Sequence, residues 1–301
     1  MRAQGADCHP DLRAALEHLM AAGGKRIRPT LGLLIGNMLD GKPEPLVTLG
    51  AAVELLHTAT LVHDDLIDGA LLRRGAETLN ARWSSAATVL TGDFLFARAA
   101  KLAAEVNYLP VMKLFAETLA VIVNGELTQL FSARGVINRE NYYQRIYAKT
   151  ASLFEMTTRA SAMVSTEDAN VIESMRKFGN ELGMAFQIVD DLLDFTGDQS
   201  AVGKPLGSDL LQGLVTLPAI YFAEMNPEHP DVRSLAAGGW GDHERMERLV
   251  QSIRGSEAVH MAMHEAEQCI ERAITHLTPF ENCEERTALE NLARYVVDRK
   301  I

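Results

Sequence analysis

Long apolar stretches broken by short connectors rich in Gly and Pro set the pattern of this chain. Residues 11–22 place Leu12, Leu16 and Leu19 on one face at helical spacing and predict a short helix. Residues 30–39 predict a second helix, stopped at Asp40 and Gly41, with residues 42–45 as connector. The run from Val53 to Val62 is apolar enough for a buried helix, which continues through Asp68. Further helices are expected from about Thr91, over residues 110–131, 143–163 and 173–195, and from about Thr216. Residues 236–241 read as a linker, followed by amphipathic helices. No run alternates with period two for long enough to build a sheet. The expected fold class is all-α, with residues 1–301 as a single large bundle and one domain.

The acidic positions break this pattern where apolar helices end. Asp64 and Asp68 are four apart, so a helix stacks their carboxylates on one face, with Asp65 beside them. Clustered carboxylates at the end of a buried helix repel each other and lose solvation, and a hard divalent cation such as Mg²⁺ offsets both. A solvated acidic helix end would explain one such cluster. The pattern recurs at Asp190, Asp191 and Asp194 after a second apolar run, 184–189, and the recurrence points to metal. Gln187 lies three residues before Asp190.

The basic positions are as local as the acidic ones. In GGKRIRP (23–29) two glycines stop one helix and Pro29 suits the first turn of the next. Lys25, Arg26 and Arg28 therefore crowd a positive helix N-terminus, an arrangement that suits a bound phosphate. His57 lies two turns before Asp64, and Arg73 and Arg74 follow the first acidic cluster. Carboxylates followed by arginines suit an anion held by metal on one side and guanidinium on the other. Lys149 can reach a phosphate, and Lys204 sits in a Gly/Pro loop over 202–209.

Composition narrows the class. The 301 residues are 47% hydrophobic, enough to bury a core, and the net charge of −11 argues against a general affinity for nucleic acid. Cys8, Cys269 and Cys283 have no metal-ligand spacing, which fits a reduced, cytoplasmic protein. Residues 1–8 carry no apolar segment, so no signal peptide is expected. No stretch reads as a membrane span, and any membrane contact would be peripheral, for product release.

Taken together, GGKRIRP (23–29), HTATLVHDDLID (57–68), LLRRG (71–75), GDFLFARA (92–99), YAKTASLFE (147–155), FQIVDDLLDFTGD (186–198) and VGKPLGSDLLQGLVTLP (202–218) resemble the trans- (E-) isoprenyl diphosphate synthases, and among them the long-chain polyprenyl diphosphate synthases. The resemblance runs over nearly the whole chain. It implies an orthogonal helical bundle around a central cavity, usually a homodimer, that adds isopentenyl diphosphate head-to-tail to an allylic diphosphate (geranyl, farnesyl or geranylgeranyl). It also implies residue roles. Lys25, Arg28, His57 and Arg74 would hold isopentenyl diphosphate. Asp64 and Asp68 would bind two Mg²⁺ ions on the allylic diphosphate and Asp190 a third, with Asp65 and Asp194 as further ligands. Arg73, Lys149 and Lys204 would clamp that diphosphate, and Thr150 and Gln187 would line the developing cation.

Chain length is expected to depend on Ala59 and Thr60, which lie about 6–7.5 Å along the helix from Asp64. Short-chain members of the family have aromatic floors there; these two small residues leave the tail room, with Leu127, Leu130 and Phe131 as deeper stops. A long-chain product for quinone side chains follows. Departures from the family pattern are the short stretch before GGKRIRP and Leu214, where many relatives have lysine. The alternatives are a short-chain synthase and the catalytic subunit of a two-component enzyme, a heterodimer with a small subunit. A class I terpene cyclase would not need GGKRIRP, and a non-catalytic partner subunit would have lost aspartates that all remain here.

Overall fold

The computed structural model describes residues 9–21, 23–73, 75–132, 134–197 and 206–298. The chain divides into two compact units, Met1–Ala116 with Thr157–Ile172, and Glu117–Met156 with Glu173–Ile301. Helices account for nearly all the regular structure among the described residues, in line with the all-α expectation.

In the first unit, α1 (Pro10–Ala21) and α2 (Ile27–Met38) lead to α3 (Pro43–Ile67). A two-residue-stranded hairpin, Leu72–Arg73 against Ala76–Glu77, then precedes α4 (Leu79–Arg82) and α5 (Ser85–Glu105). Such a hairpin is too short to leave an alternating signature. On α3, Leu46, Leu49, Val53, Leu56, Ala59 and Val62 recur every three or four residues and are buried. That stripe packs along α5 and α2. By length and composition α3 could span a membrane, but more than half of its apolar window is buried in the protein. Glu54 in its middle is also buried and ion-paired, which is core-helix chemistry. Gly92 on α5 makes room for His63: an added Cβ would lie 2.1 Å from His63 Nε2. The His63 ring instead lies 5.3 Å from Phe96.

Helix α2 begins at Ile27, three residues before the expected start. Arg26 adopts a left-handed backbone (φ 52°) and its carbonyl accepts the Thr30 N–H at 3.1 Å, closing the first turn. Pro29 falls within that turn, where its missing N–H costs nothing.

The second unit takes in the later part of α6 (Leu109–Ser132), then α7 (Arg139–Ile146), a π-helical turn (Tyr147–Ala151) and the start of α8 (Ser152–Met163). Most of α9 (Ala169–Thr196) follows, with α10 (Ser208–Leu211), α11 (Leu217–Met225), α12 (Pro230–Ala236), α13 (His243–Arg254), α14 (Ala258–Thr275) and α15 (Glu284–Asp298). The expected linker over 236–241 is folded instead. It ends α12 and forms a 3₁₀ turn, Gly239–Gly241, in which Trp240 lies under the Arg134 guanidinium at 5.1 Å.

The π turn and the start of α8 run antiparallel to α9. Asn180 Nδ2 donates to Glu155 at 3.0 Å, and Arg176 pairs with the same carboxylate at 3.3 Å. Between these contacts and the acidic cluster the two backbones nearly touch at Gly183, where an added Cβ would lie 2.5 Å from Ala151 Cα. Backbone cannot give way as a side chain can, so Gly183→Ala should destabilise the protein by about 1–3 kcal/mol. Urea unfolding checks this, and wild-type stability would contradict the close approach.

Candidate active site

The first acidic cluster ends α3, where its three aspartates have different surroundings. Asp68 is exposed at the C-cap, and its N–H donates to Asp64 O at 2.8 Å, so the two lie one helical turn apart. Asp64 is half-buried. Asp65 is only 7% exposed, and both its oxygens accept from Arg73 Nε, at 2.8 and 3.0 Å. The hairpin thus returns a guanidinium to the helix that it follows. Asp65, which the resemblance groups with its neighbours as a metal ligand, thus has both carboxylate oxygens on Arg73. Arg74 lies outside the described residues.

The basic turn opens α2. Arg28 is buried in the first helical turn, and Lys25 is exposed. Arg26 pairs with Glu54 of α3, a buried carboxylate that the sequence did not mark. That pair ties the left-handed residue before α2 to the helix that carries His57, one turn after Glu54. His57 is half-buried. Of the expected isopentenyl diphosphate set, Arg28 and His57 lie on the packed pair α2 and α3, and Lys25 lies two residues before α2.

The second cluster lies near the end of α9. Asp190 is half-buried, and Asp191 is only 5% exposed. Asp191 accepts the Tyr142 hydroxyl at 2.7 Å on one oxygen and Gln187 Nε2 at 2.7 Å on the other. Thr150 in turn donates its hydroxyl to Gln187 Oε1. Burial and the nearby Asp209 push the Asp191 carboxyl up to about 7, against the bonds from Gln187 and Tyr142 and the charge of Arg145. Burial, then the Asp191 carboxylate, raise the Tyr142 hydroxyl well above its ordinary value, so it remains a donor. Tyr142 was missed by sequence reasoning; its place seven residues before Lys149 carries no signal without the helix geometry.

Lys149 and Thr150 occupy the π turn, and Lys149 Nζ lies 3.8 Å from Glu126 on α6. Lys204 lies outside the described residues. Ala59 has no accessible surface, while Thr60 is half-buried with its hydroxyl on His57 O at 2.8 Å. Leu127, Leu130 and Phe131, the expected deeper stops, are exposed on the single chain, Phe131 at 81%.

Asp194, the third aspartate of the second cluster, is engaged by protein donors. It accepts Ser208 N at 3.1 Å, Ser208 Oγ at 2.8 Å and Asp209 N at 3.0 Å, anchoring the first turn of α10. Among the described residues no three His, Cys, Asp or Glu side chains converge as a metal cage. Because Asp194 is held by Ser208 and Asp209, Asp194→Ala should lower stability by about 0.5–2 kcal/mol and leave the Mg²⁺ dependence of turnover unchanged. A raised Mg²⁺ requirement in a titration of that variant would make Asp194 a ligand instead of an anchor.

The sequence model of the polyprenyl synthetase family matches residues 9–253. The chain is 34% identical over 293 residues to heptaprenyl diphosphate synthase component 2 of Bacillus subtilis, covering 97% of this chain and 84% of that protein. It is 34% identical to the octaprenyl diphosphate synthase of Escherichia coli, over 94% of this chain and 88% of the relative. The crystal structure of heptaprenyl diphosphate synthase from Staphylococcus aureus superposes with a TM-score of 0.93 at 31% identity, covering 99% of this chain and 94% of that one. The fold is the all-α fold of these synthases, and the chain belongs to the polyprenyl synthetase family.

Proposed function

We propose that this chain is a trans-prenyltransferase that adds isopentenyl diphosphate head-to-tail to an allylic diphosphate and builds a long-chain polyprenyl diphosphate for a quinone side chain. The observation that carries this reading is the pair of acidic helix ends, α3 and α9, each with its second aspartate buried against a protein donor. Long-chain products are named for the Bacillus, Escherichia and Staphylococcus relatives.

The Mg²⁺ that the family implies fits the residues present. Mg²⁺ takes one or two carboxylates and completes its shell with substrate phosphate and water, so a three-residue cage is not required. Asp64 with Asp68, one turn apart, and Asp190 supply such oxygens. When bound, the ions stabilise negative charge on the leaving diphosphate. The chain's own groups do the rest. Arg73, held by Asp65, would clamp the same diphosphate, as would Lys149 and Lys204. Lys25, Arg28, His57 and Arg74 hold isopentenyl diphosphate, so that its double bond is aligned with the allylic carbon.

In the reaction the allylic C–O bond breaks and pyrophosphate leaves with the electron pair. The isopentenyl double bond then supplies the electrons of the new C–C bond, and a proton lost from the adduct restores an alkene. The released pyrophosphate is the base. Thr150 and Gln187, hydrogen-bonded to each other, would offer oxygen lone pairs to the electron-poor carbon. The proposed setting is cytoplasmic, as a homodimer, with peripheral membrane contact where product leaves.

A second reading rests on the relatives from Bacillus subtilis and Geobacillus stearothermophilus, both named as component 2 of their synthase. In that case the chain is the catalytic subunit and needs a second protein. The purified chain supplied with Mg²⁺, isopentenyl diphosphate and each allylic primer decides between them, with products sized by chromatography. Long polyprenyl products from the chain alone support the first reading, and products only after a second subunit is added support the other. No product under either condition overturns the function. Asp190→Ala should cut turnover by about two to four orders of magnitude, and near-normal turnover would remove Asp190 from the metal set.

Chain length gives a further prediction. Of the two small residues before Asp64, only Thr60 has accessible surface. Thr60→Phe should therefore shorten the products by several isoprene units while preserving the first condensation. Ala59→Phe overfills a closed site, and should cost about 1–3 kcal/mol of stability whatever it does to length. Unchanged product lengths from an active Thr60→Phe enzyme would show that the tail does not pass this helix face.

A further inference from the structure

Tyr142 has no part in the chemistry assigned above, yet it is 1% exposed and its hydroxyl donates to Asp191 Oδ2 at 2.7 Å. A phenol is an expensive group to bury without purpose, because it must find a partner. Its partner here is the end of a directed line of bonds. Asp191 Oδ1 accepts Gln187 Nε2 at 2.7 Å, and Gln187 Oε1 accepts the Thr150 hydroxyl. The Gln187 amide thus sits with its NH₂ end on Asp191 and its oxygen on the Thr150 hydroxyl. With this orientation, the single Thr150 hydroxyl hydrogen is spent on Gln187 Oε1. Thr150 Oγ1 and Gln187 Oε1 then have only lone pairs left to offer a third group.

The helix geometry explains why Tyr142 and Thr150 both reach α9. An α-helix turns about 100° per residue, so residues eight apart stand about 80° out of line. The π turn at Tyr147–Ala151 takes up nearly one residue of rotation and brings the two faces back into line. On α9 the receiving residues, Gln187 and Asp191, are four apart and share a face.

We propose that Tyr142 is a positioning residue for prenyl transfer: through Asp191 it fixes the Gln187 amide, so that Gln187 and Thr150 present oxygen lone pairs and no N–H or O–H donor to the developing allylic cation. The proposal rests on the function given above. A flipped or mobile amide would bring its N–H groups toward a carbon that is gaining positive charge, and the barrier would rise. Substrate binding would be spared, because neither diphosphate is held by this line.

The test is a double-mutant cycle on the intact chain with Mg²⁺, isopentenyl diphosphate and an allylic primer. Tyr142→Phe should lower kcat by about 5–30-fold and leave both KM values within about twofold. Gln187→Leu should lower kcat further, and adding Tyr142→Phe to it should cost nothing more. Equal losses from Tyr142→Phe in both backgrounds, an unchanged kcat, or a rise in either KM would overturn the proposal. A merely structural tyrosine would lower the unfolding midpoint without this coupling to Gln187. Full turnover in Gln187→Leu would instead sink the role given to Gln187 in the reaction, whatever Tyr142 does. Should Tyr142→Phe fail to fold by circular dichroism, Asp191→Asn breaks the same line at its middle. It should show the same non-additivity with Gln187→Leu and an unchanged Mg²⁺ midpoint, and additivity or a raised Mg²⁺ requirement overturns the proposal.

Discussion

A carboxylate taken out of water survives only where donors or opposite charge replace the water. Each acidic cluster of this chain contains one such group, and in both it is the second aspartate. Asp65 is satisfied by Arg73, and Asp191 by Tyr142 and Gln187. Each buried carboxylate therefore organises residues from another stretch of chain, the hairpin after α3 in one case and the α7–π segment in the other. The first aspartates, Asp64 and Asp190, are half-buried. Doubling of the motif thus repeats a division of labour as well as a set of ligands.

The same logic extends to the basic turn. Three cations at a helix N-terminus oppose the macrodipole and one another. The fold relieves part of that by pairing Arg26 with the buried Glu54, at the cost of a left-handed backbone at Arg26. Lys25 and Arg28 are then set on either side of a fixed residue.

The helices of the bundle were readable because their apolar residues recur at 3.6-residue spacing over long stretches, as on α3 and α9. What the spacing could not convey was local. The hairpin at Leu72–Glu77 is two residues to a strand, the left-handed Arg26 moves the start of α2, and Trp240 folds a stretch that reads as a linker. At the site, the aspartates, Lys149, Thr150 and Gln187 were identifiable by type and by resemblance. The distinction among the aspartates was not, since burial depends on which chain segments return to the cluster. Tyr142 and Glu54 were invisible for the same reason, as ordinary residues in ordinary helices until the π turn and the α2–α3 packing give them partners.

The division between first and second aspartates can be measured directly by metal position. Crystals of the chain grown with Mn²⁺ and an allylic thiodiphosphate that cannot ionise would locate each ion by anomalous scattering. Mn²⁺ is expected within bonding distance of Asp64, Asp68 and Asp190, with Asp65 still on Arg73 and Asp191 still on Tyr142 and Gln187. Mn²⁺ bound by Asp65 or Asp191, with those hydrogen bonds broken, would contradict it.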